Sequence, residues 1–406
     1  MGRALSLVRR NPDFRRLFIA QLVVFGGGWF LVIPLLALLA ELTGGGTLGG
    51  VVLAVQTSVL ALLLPYAGTL ADRLDRKRIL VIANLLTVAA ALSLLLVRTP
   101  GTAWIAVAGI GVIAVAEALY FPASQAALPN VVDAEDLAAA NTLAGSAWGT
   151  MLVVGASTGG LVAGWLGPYP SFLIGAGSLT LAALFTIRVH RPFQAERTAT
   201  PAGATAALRE ALRYIAARPR VRALVTVKSA VGMGNGVLAV FPILAAGFGV
   251  GTIGMGLLYG ARGLGALIGP LLLRAVLATP RRLMAGLAVS MATYGICYLL
   301  VGVTPWFWLV LLLVVIAHIA GGGNWVLSNY ALQTEIPDKL RGRVFAADMM
   351  IAMVAVSLSQ ALAGYFTDLA GPQLVIAACG SITLLYSVAW RLATVRLLRV
   401  AEQPAG

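Results

Sequence analysis

The segment GTLADRLDRKRIL, residues 68–80, places six charged residues within thirteen positions. The chain as a whole is far more apolar: charged residues make up 11% of its 406 positions, apolar residues make up 60%, and the mean hydropathy is +0.92. Long apolar runs flank the segment at 51–71 and 79–97. A charged segment between two such runs is typical of a loop that joins two membrane-spanning helices.

Apolar runs of this kind recur along the chain and predict twelve membrane spans. A helix of about 20 apolar residues crosses a hydrocarbon layer about 30 Å thick, and Gly, Pro, Thr and Asn mark most of the connections. The composition excludes a soluble globular protein, which carries about 25% charged residues. The predicted spans 1–12 are 16–41, 47–71, 78–97, 102–127, 137–164, 169–188, 221–246, 251–275, 282–303, 306–335, 344–369 and 372–395.

Basic residues are concentrated in alternate connections. The two termini and the connections after spans 2, 6, 8 and 10 carry nearly all of them, whereas the opposite connections carry only Arg98. The positive-inside rule therefore predicts a multi-pass protein of the plasma or inner membrane with both termini in the cytoplasm. The connection NVVDAED (130–136), after span 4, is an exception because it contains acids and no basic residue.

The two halves of the chain resemble each other. SQAAL (124–128) matches SNYAL (328–332), and GSLTL (177–181) matches GSITL (380–384), at an offset of 203 or 204 residues. A duplicated unit with an even number of spans gives two copies that enter the membrane from the same side, with a cavity between them.

The predicted fold is thus an all-α membrane protein with two pseudo-symmetric six-helix bundles. The expected division is a first bundle at 1–190, a cytoplasmic linker at 191–220 and a second bundle at 221–406. Within the linker, AALREALRYIAARPR (206–220) has the pattern of an amphipathic helix. Such a helix lies along the cytoplasmic membrane surface or, alternatively, is a solvated linker helix.

The segment 68–78 resembles the signature loop between spans 2 and 3 of the major facilitator superfamily. It departs from the usual pattern at Asp75, where the family has Gly. The resemblance implies a conformational latch, in which Asp72 meets the positively polarised N-terminus of span 11. The latch residues would be Gly68, Asp72, Arg73, Arg76, Lys77 and Arg78. For the last three, a role in membrane topology alone is an equal alternative.

A second stretch, GTMLVVGASTGG (149–160), resembles the antiporter motif of the exporter branches of this superfamily. Gly149, Gly155, Gly159 and Gly160 match the motif, whereas Ala156 stands where Pro is usual. The alternative is a small-residue face that packs against another helix. Two further segments resemble the twelve-helix drug:proton antiporter branch, which includes macrolide and enterobactin exporters. They are NPDFRRLFIAQLVVFGGGWF (11–30) and NYALQTEIPDKLRGRVFAADMM (329–350), which runs from predicted span 10 into span 11.

Among the ionisable residues inside predicted spans, Glu117, Arg262 and His318 are the candidates for proton coupling. A charge in a span is costly, so it is a functional candidate by default, and a structural pairing is the alternative for each. Lys228 is expected near the cytoplasmic start of span 7, where it extends to the interface. The resemblance places spans 1, 4, 7 and 10 around a central cavity. Candidate cavity residues are Gln21, Trp29, Gln56, Tyr120, Asn324, Trp325 and Asn329.

The expected function is proton-coupled efflux of small amphipathic compounds by alternating access. The expected partners are such a substrate, protons and the lipid bilayer, and the protein is expected to be a monomer. The net charge of +14 is assigned to contacts with anionic lipid rather than nucleic acid. A lipid or siderophore transporter of the same fold and a non-transporting membrane sensor are the alternatives.

Two other classes of protein are excluded. The chain has no Gly-x-x-x-x-Gly-Lys-Ser/Thr stretch, which excludes a nucleotide-driven pump. It has two histidines, His190 and His318, and no HExxH or paired metal-ligand spacing, which argues against a membrane-embedded enzyme. No metal and no cofactor are expected.

Overall fold

The computed structural model describes residues 2–194, 204–272 and 280–401. Fifteen α-helices cover nearly all of these ranges. They are α1 (Gly2–Arg10), α2 (Pro12–Thr43), α3 (Thr47–Arg73), α4 (Arg76–Ser93), α5 (Trp104–Val131), α6 (Leu137–Leu166), α7 (Pro168–Ile187), α8 (Ala204–Ala217), α9 (Pro219–Gly234), α10 (Val237–Gly247), α11 (Gly251–Leu272), α12 (Pro280–Val301), α13 (Phe307–Glu335), α14 (Asp338–Ala370) and α15 (Pro372–Ala401).

Twelve helical segments within the described ranges are long and apolar enough to cross a membrane. Helices α2 to α7 are spans 1 to 6, α9 and α10 together form span 7, and α11 to α15 are spans 8 to 12. The predicted number of spans and the all-helical fold are therefore confirmed. The protein is a multi-pass membrane protein.

The internal repeat is visible in where the helices begin. Helices α3 and α11, α4 and α12, and α7 and α15 start at the same offset of 204 residues (47 to 251, 76 to 280 and 168 to 372). Gly167 and Gly371 precede the last pair with φ of 87° and 82°. A Gly at positive φ ends one helix and the following Pro begins the next, so each half makes the same sharp turn.

The chain forms two compact units, which exchange two short segments of sequence. Unit 1 comprises Met1–Gly44, Leu62–Pro201 and Gly249–Gly260, and unit 2 comprises Gly45–Ala61, Ala202–Phe248 and Ala261–Gly406. The exchanged segments begin at 45 and 249, again 204 residues apart. The first turns of span 2 thus belong to unit 2, and those of span 8 belong to unit 1. The division at 190 and 220 stays a prediction.

The contact between spans 2 and 11 inside unit 2 is polar at the start of α3. Asp368, near the end of α14, accepts hydrogen bonds from the backbone N–H groups of Gly46 and Thr47 at 2.5 and 3.1 Å. Deeper along the same two helices, Thr57 donates to Gln360 at 3.0 Å. The carboxylate occupies the place of an N-cap, where it balances the unpaired N–H groups of α3.

Span 1 begins earlier than predicted, because Asn11 caps it. Its side-chain oxygen accepts a hydrogen bond from the N–H of Phe14 at 2.9 Å, and Pro12 occupies the first helical position. Both features favour a helix start. The Asn11 side chain also donates to the carbonyl of Val131 at 3.0 Å, which fixes the start of α2 against the end of α5.

Span 7 is divided, where the sequence predicted one continuous helix at 221–246. Helix α9 ends at Gly234 and α10 begins at Val237. Backbone groups freed by such a break need partners inside a membrane. The N–H of Gly236 donates to the hydroxyl of Ser359 at 2.9 Å, and Tyr294 donates to the side chain of Asn235 at 3.4 Å.

The predicted amphipathic helix is α8, and its apolar face packs against other helices of unit 2. Ala211 and Ile215 are buried in the same core cluster as residues of α9 and α14. On its polar side, Glu210 forms an ion pair with Arg343 at the start of α14. The position of α8 at the membrane surface stays a prediction.

Candidate functional site

The charged loop between α3 and α4 contains the N-cap of α4. Asp75, at the position where the family pattern has Gly, accepts a hydrogen bond from the N–H of Arg78 at 3.0 Å and so caps α4. The side chains of Arg73 and Arg78 are exposed. Gly68 and Asp72 lie in α3, but their surroundings are outside the described part of the structure. The latch therefore stays a prediction.

Two basic residues of the loop form hydrogen bonds with backbone carbonyls elsewhere in unit 1. The guanidinium of Arg76 donates to the carbonyls of Ala126 at 2.7 Å and Phe193 at 3.3 Å. The ammonium of Lys77 donates to the carbonyl of Val189 at 2.8 Å. These bonds join the loop to the end of α5 and to the chain that follows α7. Arg76 and Lys77 therefore have specific contacts in addition to any role in topology.

The acidic connection between α5 and α6 is compensated by basic residues from elsewhere in unit 1. Asp133 pairs with Arg191 at 3.0 Å, and Asp136 pairs with Arg10. These pairs explain why a connection without basic residues lies among basic ones. Because the pairs are partly exposed, each contributes little free energy by itself.

The glycines of the antiporter-like motif form a helix-packing face on α6. A Cβ added at Gly155 would lie 2.3 Å from the carbonyl oxygen of Gly26 in α2, and one at Gly159 would lie 2.9 Å from the same helix. A Cβ at Gly160 would lie 2.7 Å from the backbone of α11. Gly149 is buried in the same helix. Close backbone approach of this kind is how small residues hold membrane helices together.

Glu117 contacts span 1 from the middle of α5. A Cβ added at Gly28 would lie 2.9 Å from its carboxylate oxygen, so the glycine makes room for the carboxylate beside α2. Glu117 is partly exposed, whereas Tyr120, one turn further, is fully buried. The Tyr120 hydroxyl has no hydrogen-bond partner among the described residues. Glu117 and Tyr120 both lie within α5, which is span 4 of unit 1.

Unit 2 holds a buried ion pair between spans 7 and 11. The ammonium of Lys228 in α9 contacts the carboxylate of Asp348 in α14, and the exposed fractions of the two side chains are 0% and 1%. The ammonium also donates to the amide oxygen of Asn329 in α13 at 2.7 Å. It lies 5.4 Å from the ring centroid of Trp325. Three helices therefore meet at one charged group.

His318 belongs to an aromatic cluster in unit 2. Its Nε2 and the hydroxyl of Tyr298 are 2.8 Å apart and form a hydrogen bond, and the ring of Tyr294 meets it edge to face at 5.3 Å. A Cβ added at Gly265 would lie 2.8 Å from that of His318. Arg262 is one turn before Gly265 in α11, so α11 passes beside His318 and carries Arg262 close to the cluster.

The remaining candidate cavity residues lie in separate parts of the two units. Asn324 is fully buried and donates to the hydroxyl of Ser290 in α12 at 2.9 Å, so it links two helices of unit 2. Gln21 is buried in α2, and the ring of Trp29 lies 5.7 Å from that of Tyr259 within unit 1. Gln56 is partly exposed in α3.

The sequence profile of the Major Facilitator Superfamily matches residues 17–359 and, in a second, overlapping match, residues 233–405. The chain belongs to the Major Facilitator Superfamily. The second match begins within span 7, as the duplicated half would require. Membership makes the chain a membrane transporter for a small molecule, and not an enzyme.

Curated relatives and solved structures extend this result. The multidrug efflux pump Tap of Mycobacterium tuberculosis is 27% identical over 424 residues, which cover 97% of this chain and 96% of that protein. Tap of Mycolicibacterium fortuitum is also 27% identical, covering 98% and 99%. The bacterial homologue of the human lysosomal transporter Spinster has a TM-score of 0.76 at 14% identity, covering 97% and 98%. The nucleoside transporter NupG has a TM-score of 0.73 at 16% identity, covering 94% and 99%.

Within this superfamily fold, sequence reasoning missed one half of the buried ion pair. Lys228 does not extend to the interface as predicted, because its ammonium is bound by Asp348 and Asn329 in the interior of unit 2. Asp348 is not among the predicted functional residues, although it lies inside predicted span 11. The rule that selected Glu117, an acid within an apolar run, also selects Asp348.

Proposed function

We propose that the chain exports small amphipathic compounds, drugs among them, by alternating access. The observation that carries the proposal is the likeness to multidrug efflux pumps over nearly the full length of both proteins. A transporter with loosely defined cargo needs an apolar site with few polar groups, and the apolar spans provide such surfaces. In this proposal both termini lie in the cytoplasm, as the distribution of basic residues indicates, and the chain works as a monomer.

Export against a gradient needs an energy source, and this role is assigned to protons that enter as cargo leaves. Glu117 is the proton carrier in this scheme, because it is a carboxylate inside a span that is partly exposed and contacts span 1 through Gly28. Proton binding removes its charge, and a changed charge in a low-dielectric interior changes which conformation is favoured. The predicted latch at Gly68, Asp72 and Arg73 would control the exchange.

The proposal is tested by dye accumulation in a bacterial strain that lacks its own major exporters. Cells that express the chain should hold less ethidium than cells with empty vector, and a protonophore should remove the difference. Glu117→Gln should raise ethidium to the vector level at equal amounts of protein in the membrane. Glu41→Gln, which changes an exposed acid of α2, is the matched control and should behave as wild type.

Two outcomes contradict parts of the proposal. Equal ethidium in cells with and without the protein, for this and other amphipathic dyes, would refute drug efflux and favour a lipid or siderophore carrier. Unchanged export by Glu117→Gln would remove Glu117 from the coupling step and leave the export proposal intact.

A further inference from the structure

The buried ion pair of unit 2 is unusual because both of its residues lie inside membrane spans. Lys228 is nine residues after the start of α9, and Asp348 is eight residues into the span Leu340–Ala370, which is about 12 Å along the helix. Both side chains are fully enclosed by protein. Charges in such a place are costly to bury, and a buried ion pair rarely stabilises more than apolar side chains of the same volume. The pair therefore calls for a functional explanation.

The two partners of the pair are not equally satisfied. The ammonium of Lys228 has a second acceptor in Asn329 and faces the aromatic rings of Trp325 and Phe345, at 5.4 and 5.9 Å. It would keep favourable contacts if the carboxylate became neutral. In contrast, Oδ1 of Asp348 is buried and has no hydrogen-bond partner among the described residues. The ammonium of Lys228 thus has several partners, whereas one carboxylate oxygen of Asp348 has no hydrogen-bond partner among the described residues.

Other charges lie on α14 and on the helices packed against it. Besides Lys228, the described charged side chains there are Arg73, Arg209, Glu210, Arg213, Arg220, Arg222, Glu335, Arg341, Arg343, Asp368 and Arg391. Four of these side chains form ion pairs with one another: Glu210 with Arg343, and Arg220 with Glu335. The carboxylate of Asp348 forms its ion pair with Lys228. The protonation of Asp348 is thus coupled mainly to one neighbour.

We infer that Lys228 and Asp348 form a proton-exchange site that links spans 7 and 11 of unit 2. A proton from water binds a carboxylate oxygen of Asp348 and neutralises it, which breaks the ion pair. Lys228 stays charged, held by Asn329 and Trp325. Loss of the proton restores the pair. Since the pair joins α9 to α14, each cycle releases and renews one link between these helices, close to the break in span 7.

The inference rests on the proposed proton-coupled export, but it concerns an acid that is separate from Glu117. Glu117 lies in unit 1 and Asp348 in unit 2. The two sites can therefore be tested by independent substitutions. A transporter with both sites would bind protons in each half of its repeat.

The test uses the purified full-length chain in proteoliposomes and two modes of ethidium transport. In one mode an imposed pH gradient drives dye uphill, and in the other dye exchanges across the membrane at equal pH. Asp348→Asn should lose pH-driven transport and keep exchange, because the site no longer binds a proton. Glu210→Gln, which removes an exposed acid paired to the same helix, is the matched control and should retain both modes.

A structural role of the pair gives different results. If Asp348→Asn fails to fold, the double variant Lys228→Gln and Asp348→Asn replaces the ion pair by a neutral hydrogen bond. Loss of both modes in this folded double variant would assign the pair a structural role and overturn the inference. Unchanged pH-driven transport in either variant would overturn it as well.

A second measurement does not depend on dye export. Infrared difference spectra between acidic and neutral pH report protonation of a buried carboxyl group through its C=O band. The wild-type chain should show a band that is absent in Asp348→Asn and present in Glu210→Gln. If no dye is exported by the wild type, this measurement still decides whether Asp348 exchanges a proton. A difference spectrum that is the same in wild type and Asp348→Asn would refute the inference.

Discussion

A polar side chain in the apolar interior of a span needs a partner, and neighbouring helices supply it. Asn324 donates to Ser290, and His318 shares a hydrogen bond with Tyr298. An unmet hydrogen bond in a membrane interior has no water to replace it, so each partner matters for stability as well as for function.

The bond between His318 and Tyr298 yields a stability prediction. Tyr298→Phe removes the hydroxyl and leaves a buried imidazole nitrogen without this partner. We expect the free energy of unfolding to fall by about 0.5–2 kcal/mol, the range measured for hydrogen bonds between membrane helices. The measurement is thermal unfolding in detergent. Tyr330→Phe, which changes a tyrosine that is 44% exposed, should leave the midpoint unchanged. An equal midpoint for Tyr298→Phe would show that the bond is not stabilising.

At this scale the sequence predicts which residues matter better than it predicts their partners. Glu117 and His318 are recognisable because each is an ionisable residue in an apolar run. The partner of Lys228 is Asp348, 120 positions away, and no local pattern joins the two. Without that partner, an interfacial position for Lys228 is the reasonable expectation, and it is wrong because tertiary contact supplies an acid.

At the scale of helices, glycine decides how closely two spans approach. Gly155 and Gly159 face α2, whereas Gly160 faces α11, so the glycines of this one segment of α6 pack against two helices. The resemblance to an antiporter motif and the packing reading are therefore compatible, since the motif residues are the packing residues. Ala156, in place of the usual Pro, keeps this part of α6 helical.

These glycines yield a prediction for one helix contact. Gly155→Ala places a methyl group 2.3 Å from the carbonyl oxygen of Gly26, so α2 and α6 must separate. We expect a loss of about 1–3 kcal/mol in the free energy of unfolding, as for other overpacked sites. Gly145→Ala in the same helix meets no atom within 4 Å and is the control. If both variants unfold at the temperature of the wild type, the close contact does not exist.

Helix ends were predictable to the extent that they depend on local chemistry. The Gly-Pro pairs at 167–168 and 371–372 are visible in the sequence, and each lies between two helices in the structure. The break in span 7 at Asn235 and Gly236 was missed, because its hydrogen bonds come from Ser359 and Tyr294 on other helices. A Gly or Asn within an apolar run is too common to predict a break without these contacts.

For the whole molecule, the repeat organises both the sequence and the structure. Helix starts and the segments assigned to the other unit share the offset of 204 residues, and a second match of the family profile begins at residue 233, within span 7. Hydrophobicity and the positive-inside pattern were sufficient to predict twelve spans, since both are read from the order of residues along the chain. The exchange of short segments between units was not predictable, because it depends on which spans pack together at one end.

The central claim is that the chain moves amphipathic compounds across a membrane at the expense of a proton gradient. The most direct measurement uses the purified protein in sealed vesicles, with ethidium on both sides and a pH gradient imposed across the bilayer. We predict that ethidium accumulates against its own gradient and redistributes when an ionophore collapses the pH difference. Dye movement equal to that of protein-free vesicles, under gradients of either direction, would contradict the claim.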